Sequence, residues 1–346
     1  MLSEIFEIAM ILSFGISWPA AVLKSYKARS TKGKSLFFVC MILFGYICGI
    51  ASKLILGFGN FKWYVLFFYV LNFLMVGADF ILYFRNLRLD KMRAEGKNGE
   101  MKVLAIGNSF SEDAVRYQHG IAESNGCKLT VVNLMIGGCS LERHRQNMQS
   151  GEAAYTLEKN GESTGRKISL ADALSLESWD VITLQQVSHF SFRAETYHPF
   201  LEELYSFIKE KCPKATVLMH QTWAYEDGSE ALLSRSPYAS FEAMLDDVLR
   251  TYRDAAKGIG VAYIPSGELM GKLYDLGVSP LHRDGFHASL GIGRYAIGLL
   301  WYRVLTGNSV LGNSFRAFDE PIGEETIIKI QKTVEEFSAL RIRSLT

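Results

Sequence analysis

Lys102-Val103-Leu104-Ala105-Ile106-Gly107-Asn108-Ser109-Phe110-Ser111 is the stretch on which the fold of this chain turns. The run Lys102–Ile106 reads as a buried strand, Gly107-Asn108 breaks it, and Glu112–Ser124 behind it has helical periodicity. Strand, tight turn and helix form the opening unit of a parallel sheet, and such sheets bind ligands at the carboxyl ends of their strands. Ser109 stands at that end, where its hydroxyl can project over the sheet edge. A serine before a helix is as readily a cap, and Ser111, followed by Glu112 and Asp113, is expected to be the N-cap here.

The alternation continues downstream. Leu129–Leu134, Asp180–Leu184, Thr216–His220 and Val261–Ile264 read as strands. Glu195–Lys211, Tyr238–Lys257, Ala288–Leu305 and Glu325–Leu340 read as helices. One α/β domain with a parallel sheet is expected over residues 101–346, with no internal repeat.

Upstream the composition changes. A polar linker is expected at residues 88–100, and before it three apolar runs, about Ile5–Leu23, Leu36–Gly57 and Trp63–Phe84, fill residues 1–87. Each is long enough to cross a hydrocarbon core of about 30 Å. The expectation is an all-α bundle of three transmembrane helices. Glu4 and Glu7 argue against a cleaved signal peptide, which would begin with basic residues. Residues 1–99 hold 12 of the 37 Lys/Arg and 5 of the 36 Asp/Glu, so a basic front precedes a mildly acidic back. The positive charges flank apolar runs and form no basic stripe, which excludes a nucleic-acid arm. Lys24, Lys27, Arg29, Lys32 and Lys34 fill the first loop, and Arg85, Arg88, Lys91, Arg93 and Lys97 follow the third run; the second loop has only Lys62. The positive-inside rule then places the N-terminus outside a cell (inner) membrane and the back domain in the cytoplasm. Asn72, Lys53 and Asp79 are polar within the runs, where such groups face a bundle interior, pair, or snorkel.

The cysteines, Cys40, Cys48, Cys127, Cys139 and Cys212, are few and scattered, as in a reducing compartment. His119, His144, His189, His198 and His282 lack metal-site spacing, so no metal or cofactor is expected.

Four polar features remain in the back half. Asp284-Gly285-Phe286-His287 has the spacing that brings a carboxylate and an imidazole to one side of a helical turn, so that Asp284 can hold one ring nitrogen and leave the other as a base. Gly137-Gly138-Cys139-Ser140 follows the second strand, where small residues let backbone N–H groups reach a substrate oxygen. Gln185-Gln186-Val187-Ser188-His189 ends the third strand at the same edge. His220, Gln221, Trp223 and Tyr225 follow the fourth, an aromatic and polar mixture that suits a sugar ring or, equally, a buried loop.

Taken in chain order, Gly107-Asn108-Ser109-Phe110-Ser111, Asn133 through Gly138, the polar end after Leu184 and Asp284-x-x-His287 resemble the SGNH/GDSL hydrolases. The wording at residues 105–111, 137–144, 184–186, 220–225 and 284–289 is closer still to the DUF4886 branch of those proteins. The resemblance covers about residues 101–310 and implies a three-layer α/β fold with a flavodoxin-like parallel sheet. It implies Ser109 as nucleophile, His287 as base and Asp284 as its orienting acid. Gly138, or Gly137 beside it, would be the oxyanion glycine. Most members place an Asn in the third block as a further oxyanion donor; this chain has none there, and Gln186 or Ser188 would stand in. Asn108, His220 and Trp223 are the expected substrate contacts.

The front resembles the PQ-loop pattern of SemiSWEET-type sugar carriers, through Ile16-Ser17-Trp18-Pro19-Ala20-Ala21-Val22-Leu23-Lys24 and Ser30-Thr31-Lys32-Gly33-Lys34-Ser35. Ala20 replaces the signature Gln, and the second-helix Trp of that family has no counterpart in Gly45–Gly57. Asn72 falls where the family has a substrate-contacting Asn. Three helices cannot enclose a midplane site alone, so transport implies a homodimer through the membrane domain.

The expected function is a membrane-tethered serine esterase acting on a small acylated substrate, with an acetylated carbohydrate favoured and a link to sugar transport. Two alternatives share these residues. One is an acyltransferase with the same triad; the other is a sugar transporter or sensor with a non-catalytic binding domain.

Overall fold

The computed structural model describes residues 18–19, 21–26, 31, 33–57 and 63–342. The chain divides into two compact units, Met1–Glu95 and Gly96–Thr346.

In the first unit, Trp18, Pro19 and residues 21–26 are helical, and most of the first expected span, with Ala20, Lys27, Arg29 and Lys32, lies outside the described residues. A helix over Leu36–Leu56 starts at Ser35, whose hydroxyl accepts the Phe38 N–H at 3.3 Å. A second helix spans Trp63–Asn98. The expected linker is therefore helical to Asn98. Leu36–Ile55 and Val65–Leu87 are each long and apolar enough to cross a membrane. Their polarity is inverted relative to a water-soluble bundle. Phe37, Ile55, Trp63 and Ile81 point outward, while Asn72, Asp79 and Asn86 are buried. Asp79 pairs with Lys34, and the Asn86 Nδ2 donates to the Ser25 carbonyl at 2.8 Å. Trp18, Val39 and Val76 form the small apolar centre.

The second unit is built on seven strands: β1 Met101–Gly107, β2 Leu129–Met135, β3 Tyr155–Lys159, β4 Glu162–Ile168, β5 Val181–Leu184, β6 Thr216–His220 and β7 Ala262–Ile264. Their order is β4-β3-β2-β1-β5-β6-β7. Strands β2, β1, β5, β6 and β7 run parallel, as expected. The sheet as a whole is mixed, which corrects the all-parallel expectation: β3 and β4 add an antiparallel hairpin outside β2. Its turn is Asn160-Gly161, with φ of 54° and 83°, the positive values that a two-residue hairpin loop demands and that Asn-Gly supplies.

The chain leaves β1 for β2 on one side and later returns to β5 on the other, so β1 is the topological switch point. Gly107 aligns with Met135, and Ile106 with Leu184, which brings three strand ends to one rim. From Val103 to Gly107, β1 is wholly buried. Helices Ser109–Val115, Gln118–Ser124, Ile292–Thr306 and Glu324–Ile342 pack as one group; Leu141–Ser150, Leu170–Ser175 and Phe200–Lys211 pack as another. The expected single helix over Glu112–Ser124 is two helices, and the expected start at Ala288 is displaced to Ile292.

Candidate active site

The turn after β1 is set by Asn108. Its backbone is extended, and its Oδ1 accepts the Phe110 N–H at 3.0 Å, so Asn108 is the N-cap and Ser109 the first helical residue. Ser111 is not the cap, contrary to expectation. It lies inside the helix, where its hydroxyl donates to the Asn108 carbonyl (2.8 Å) and reaches the Asn133 Oδ1 (2.7 Å). Because Asn108 caps, the Ser109 hydroxyl is left for other work.

That hydroxyl lies 2.8 Å from the His287 Nε2, and the His287 Nδ1 lies 2.7 Å from the Asp284 Oδ2. With Nδ1–H donated to the carboxylate, Nε2 keeps the lone pair that can accept the serine proton. The spacing of Asp284 and His287 acts through a tight turn and not through a helix. The Asp284 Oδ1 accepts the His287 N–H at 2.8 Å and the Phe286 N–H at 3.3 Å, so the carboxylate folds its own backbone and holds the ring at once. Burial pushes the Asp284 carboxyl up, but the bonds from the His287 ring and backbone outweigh it and hold the group below the usual carboxylate value.

Neighbouring elements fix this turn. The Trp223 Nε1–H donates to the Phe286 carbonyl (2.9 Å), and the Glu226 N–H to the Gly285 carbonyl (2.7 Å). Asp113, four residues after Ser109 and fully buried, accepts from Arg283 (2.8 Å), Arg294 (2.8 Å) and the Ala288 N–H (3.1 Å). One carboxylate thereby binds the Ser109 helix to both sides of the histidine turn. Arg294 continues to Asp319 (2.6 Å), and Asp319 to Arg116 (2.7 Å).

A cavity of about 640 Å³ opens over Ser109 and His287. Gly137 and Gly138 line it, with Asn108, Val187 and Ser188 beside them. Gly138 has φ +63°, a left-handed conformation that turns its peptide in a way other residues resist. The Ser109 N–H, at the first helical position, has no acceptor within its helix. Ser109 and the two glycines thus bring backbone to the cavity wall.

Of the two stand-ins for the missing Asn, Gln186 is committed elsewhere, which corrects its assignment. Its Oε1 accepts the Leu141 and Val187 N–H groups (3.0 and 2.9 Å), and its Nε2 donates to the Thr196 carbonyl (2.9 Å). Ser188 does line the cavity, its hydroxyl paired with the Tyr225 hydroxyl at 2.9 Å. His220 and Trp223 are corrected too. Both are completely buried and outside the cavity lining. Trp223 stacks on Phe110 at 4.4 Å, and burial pushes the His220 imidazole down to about 3. Asn72 is buried within the first unit.

Gln185 is the residue that sequence reasoning passed over. Its Oε1 takes the His220 Nδ1–H (2.7 Å) and its Nε2 donates to the Asn108 Oδ1 (2.7 Å), while the Asn108 Nδ2 donates to the Cys139 carbonyl (3.0 Å). This chain of amides ties β6, β5, the serine turn and the glycine loop together. Both glutamines follow the last residue of β5, where the irregular backbone decides which one faces the serine turn, so no sequence periodicity could single out Gln185. Burial also holds His144 (about 3) and His282 (about 4) neutral. No cluster of three or more His, Cys, Asp or Glu suited to a metal occurs among the described residues.

No curated protein matches the chain. Among solved structures, a variant of an acetyl-xylooligosaccharide esterase from Geobacillus stearothermophilus superposes at TM-score 0.42 and 13% identity, covering 61% of this chain and 97% of that one. A lipase/acylhydrolase from Enterococcus faecalis gives 0.41 and 15%, covering 60% and 96%. A DUF4886 family protein from Bacteroides uniformis gives TM-score 0.64 at 35% identity, over 69% of this chain and 94% of that one. The family model for this domain of unknown function matches residues 102–327, and with that match the chain belongs to the DUF4886 family.

Proposed function

We propose that the Gly96–Thr346 unit is a serine hydrolase of carboxylic esters, of the SGNH type. The observation that carries this reading is the unbroken relay from Ser109 through His287 to Asp284, opening into a cavity floored by glycines. The Ser109 Oγ attacks the ester carbonyl carbon while its proton passes to the His287 Nε2. Asp284 stabilises the imidazolium, and the N–H groups of Ser109 and Gly138, with the Ser188 hydroxyl, face the oxyanion. The C–O bond to the alcohol then breaks, and the alcohol leaves with the Nε2 proton. Water then gives a proton to the His287 Nε2 and attacks the acyl carbon; the bond to the Ser109 Oγ breaks, Oγ takes the proton back, and the carboxylic acid leaves. If an alcohol replaced that water the same relay would transfer the acyl group, and product analysis with an added acceptor separates the outcomes.

The substrate read from the sequence is an O-acetylated carbohydrate, and the front unit is read as a membrane anchor that holds the hydrolase at the cytoplasmic face. Buried Asn72 and Asp79 in apolar helices favour a second role for that unit, sugar passage through a dimer. The test of the main reading uses the full chain in detergent, with aryl acetates and acetylated sugars as substrates and Ser109→Ala as control. Turnover abolished by the substitution supports the hydrolase; equal turnover in both proteins removes it. Sugar uptake by proteoliposomes, compared with Asn72→Ala, tests the second role.

A further inference from the structure

His189, Tyr225, Arg235 and His287 line the cavity over Ser109, and no carboxylate does. The Asp284 carboxylate nearby is occupied by His287. Arg235 is the one Lys, Arg, Asp or Glu on the wall; its side chain is exposed, and it takes part in no ion pair among the described residues.

Its placement is built. Arg235 ends the helix Glu230–Arg235, which starts at Ser229 with the Ser229 hydroxyl accepting the Leu232 N–H at 3.1 Å. Ala231 and Leu232 are buried beneath it, and a Cβ on Gly285 would come within 3.4 Å of Ala231 and closer still to Ser229, so this helix rests directly on the catalytic turn. The guanidinium lies 4.7 Å from the Phe286 ring centroid, and that ring lies 3.9 Å from the His287 imidazole. The Phe286 ring therefore touches both the exposed Arg235 guanidinium and the imidazole. Burial, then the charges of Arg193 and Arg235, push the His189 imidazole below its ordinary value.

A guanidinium on the wall of a largely apolar cavity, with no carboxylate partner among the described residues, can recognise an anion. We propose that Arg235 forms a carboxylate-binding subsite beside Ser109, so that the substrate is an ester whose acyl or alcohol half carries a carboxylate, an acetylated uronic acid being one such compound. This rests on the hydrolase reading above. Arg235 makes bidentate hydrogen bonds to the carboxylate and takes no part in bond breaking.

The test uses matched ester pairs with the full chain in detergent. In the acyl arm, an aryl hydrogen succinate is compared with the aryl butanoate. In the alcohol arm, the acetyl ester of 4-hydroxybenzoate is compared with that of 4-hydroxybenzamide. The expected result is a wild-type preference for the charged member in at least one arm. Arg235→Gln should lower the charged-to-neutral ratio of kcat/KM at least tenfold, chiefly through KM, and Arg235→Lys should restore much of it. A ratio unmoved by Arg235→Gln, or a preference for the neutral ester in both arms, overturns the proposal. Binding of succinate and 4-hydroxybenzoate to the Ser109→Ala protein, with and without Arg235→Gln, separates the two ideas. Arg235-dependent binding without turnover of any ester removes the hydrolase and keeps the anion subsite. Ser109-dependent turnover indifferent to charge keeps the hydrolase and removes the subsite, and neither result removes both.

Discussion

Asp113→Asn tests whether the nucleophile helix and the histidine turn are held as one object. The carboxylate is fully buried and serves Arg283, Arg294 and the Ala288 N–H. Removing one partner of a buried ion pair costs about 3–5 kcal/mol, because the opposite charge is left uncompensated. Two features place this case at the low end. Arg294 keeps Asp319 at 2.6 Å, and the Arg283 side chain is 25% exposed, so water can reach the guanidinium left behind. The expected loss is about 3 kcal/mol, measured as urea resistance of the α/β unit by pulse proteolysis of the full chain in detergent. The turn would also drift from Ser109, and a misplacement of about 1 Å can cost about a hundredfold in rate. That loss should appear in kcat more than in KM. Arg283→Met added to Asp113→Asn removes the stranded charge, so the pair should be less destructive than the two single losses combined, by about 0.5–3 kcal/mol. A single-variant loss under about 1 kcal/mol, against the 3–5 of a broken buried pair, together with strict additivity, would refute the reasoning.

Gln185→Leu should leave the buried His220 Nδ1 without its acceptor and free the Asn108 side chain, costing about 1–3 kcal/mol; denaturation and ester turnover should fall together. Gly138→Ala meets nothing within 4 Å, so its cost is that of the positive φ alone, about 1–2 kcal/mol. The fold should survive, and kcat should drop further than stability does, which steady-state kinetics beside a melting curve would show. Asp319 is held down to about 2, first by its hydrogen bond from Arg116. A depressed carboxylate stabilises the fold above its unfolded value and loses that contribution as pH falls toward the folded one. Asp319→Asn should therefore flatten the fall in urea resistance between about pH 4 and pH 2, leaving an unchanged slope as the contrary result.

The core of the sheet was legible because β1, β2, β5, β6 and β7 are short apolar runs. The β3–β4 hairpin was not, since Glu162–Lys167 is charged or polar and exposed throughout and offers no alternation toward a core. Its Asn160-Gly161 turn is a hairpin signal that sequence reasoning did not take up. Ser109, Asp284 and His287 came from motif likeness; no spacing rule joins residues 178 apart. For the same reason the partnership of Asp113 with Arg283 and Arg294 escaped notice. His220 and Trp223 looked like a binding surface because aromatic and polar groups after a strand serve either purpose, and only packing shows them beneath Phe110 and Gln185. Gln185 and Gln186 look alike in sequence, and only the irregular backbone after β5 sends the first toward Asn108 and the second toward Leu141 and Thr196.

The two borders of the sheet differ in kind. On one side β7 has three residues, too few to template another chain. On the other, β4 bears Glu162, Arg166 and Lys167 along an exposed ribbon. Charges of both signs there oppose the addition of a foreign strand. Copies crowded together would find no seam to zip along, so any self-association must be made through helices or loops and should dissociate without unravelling the β-structure.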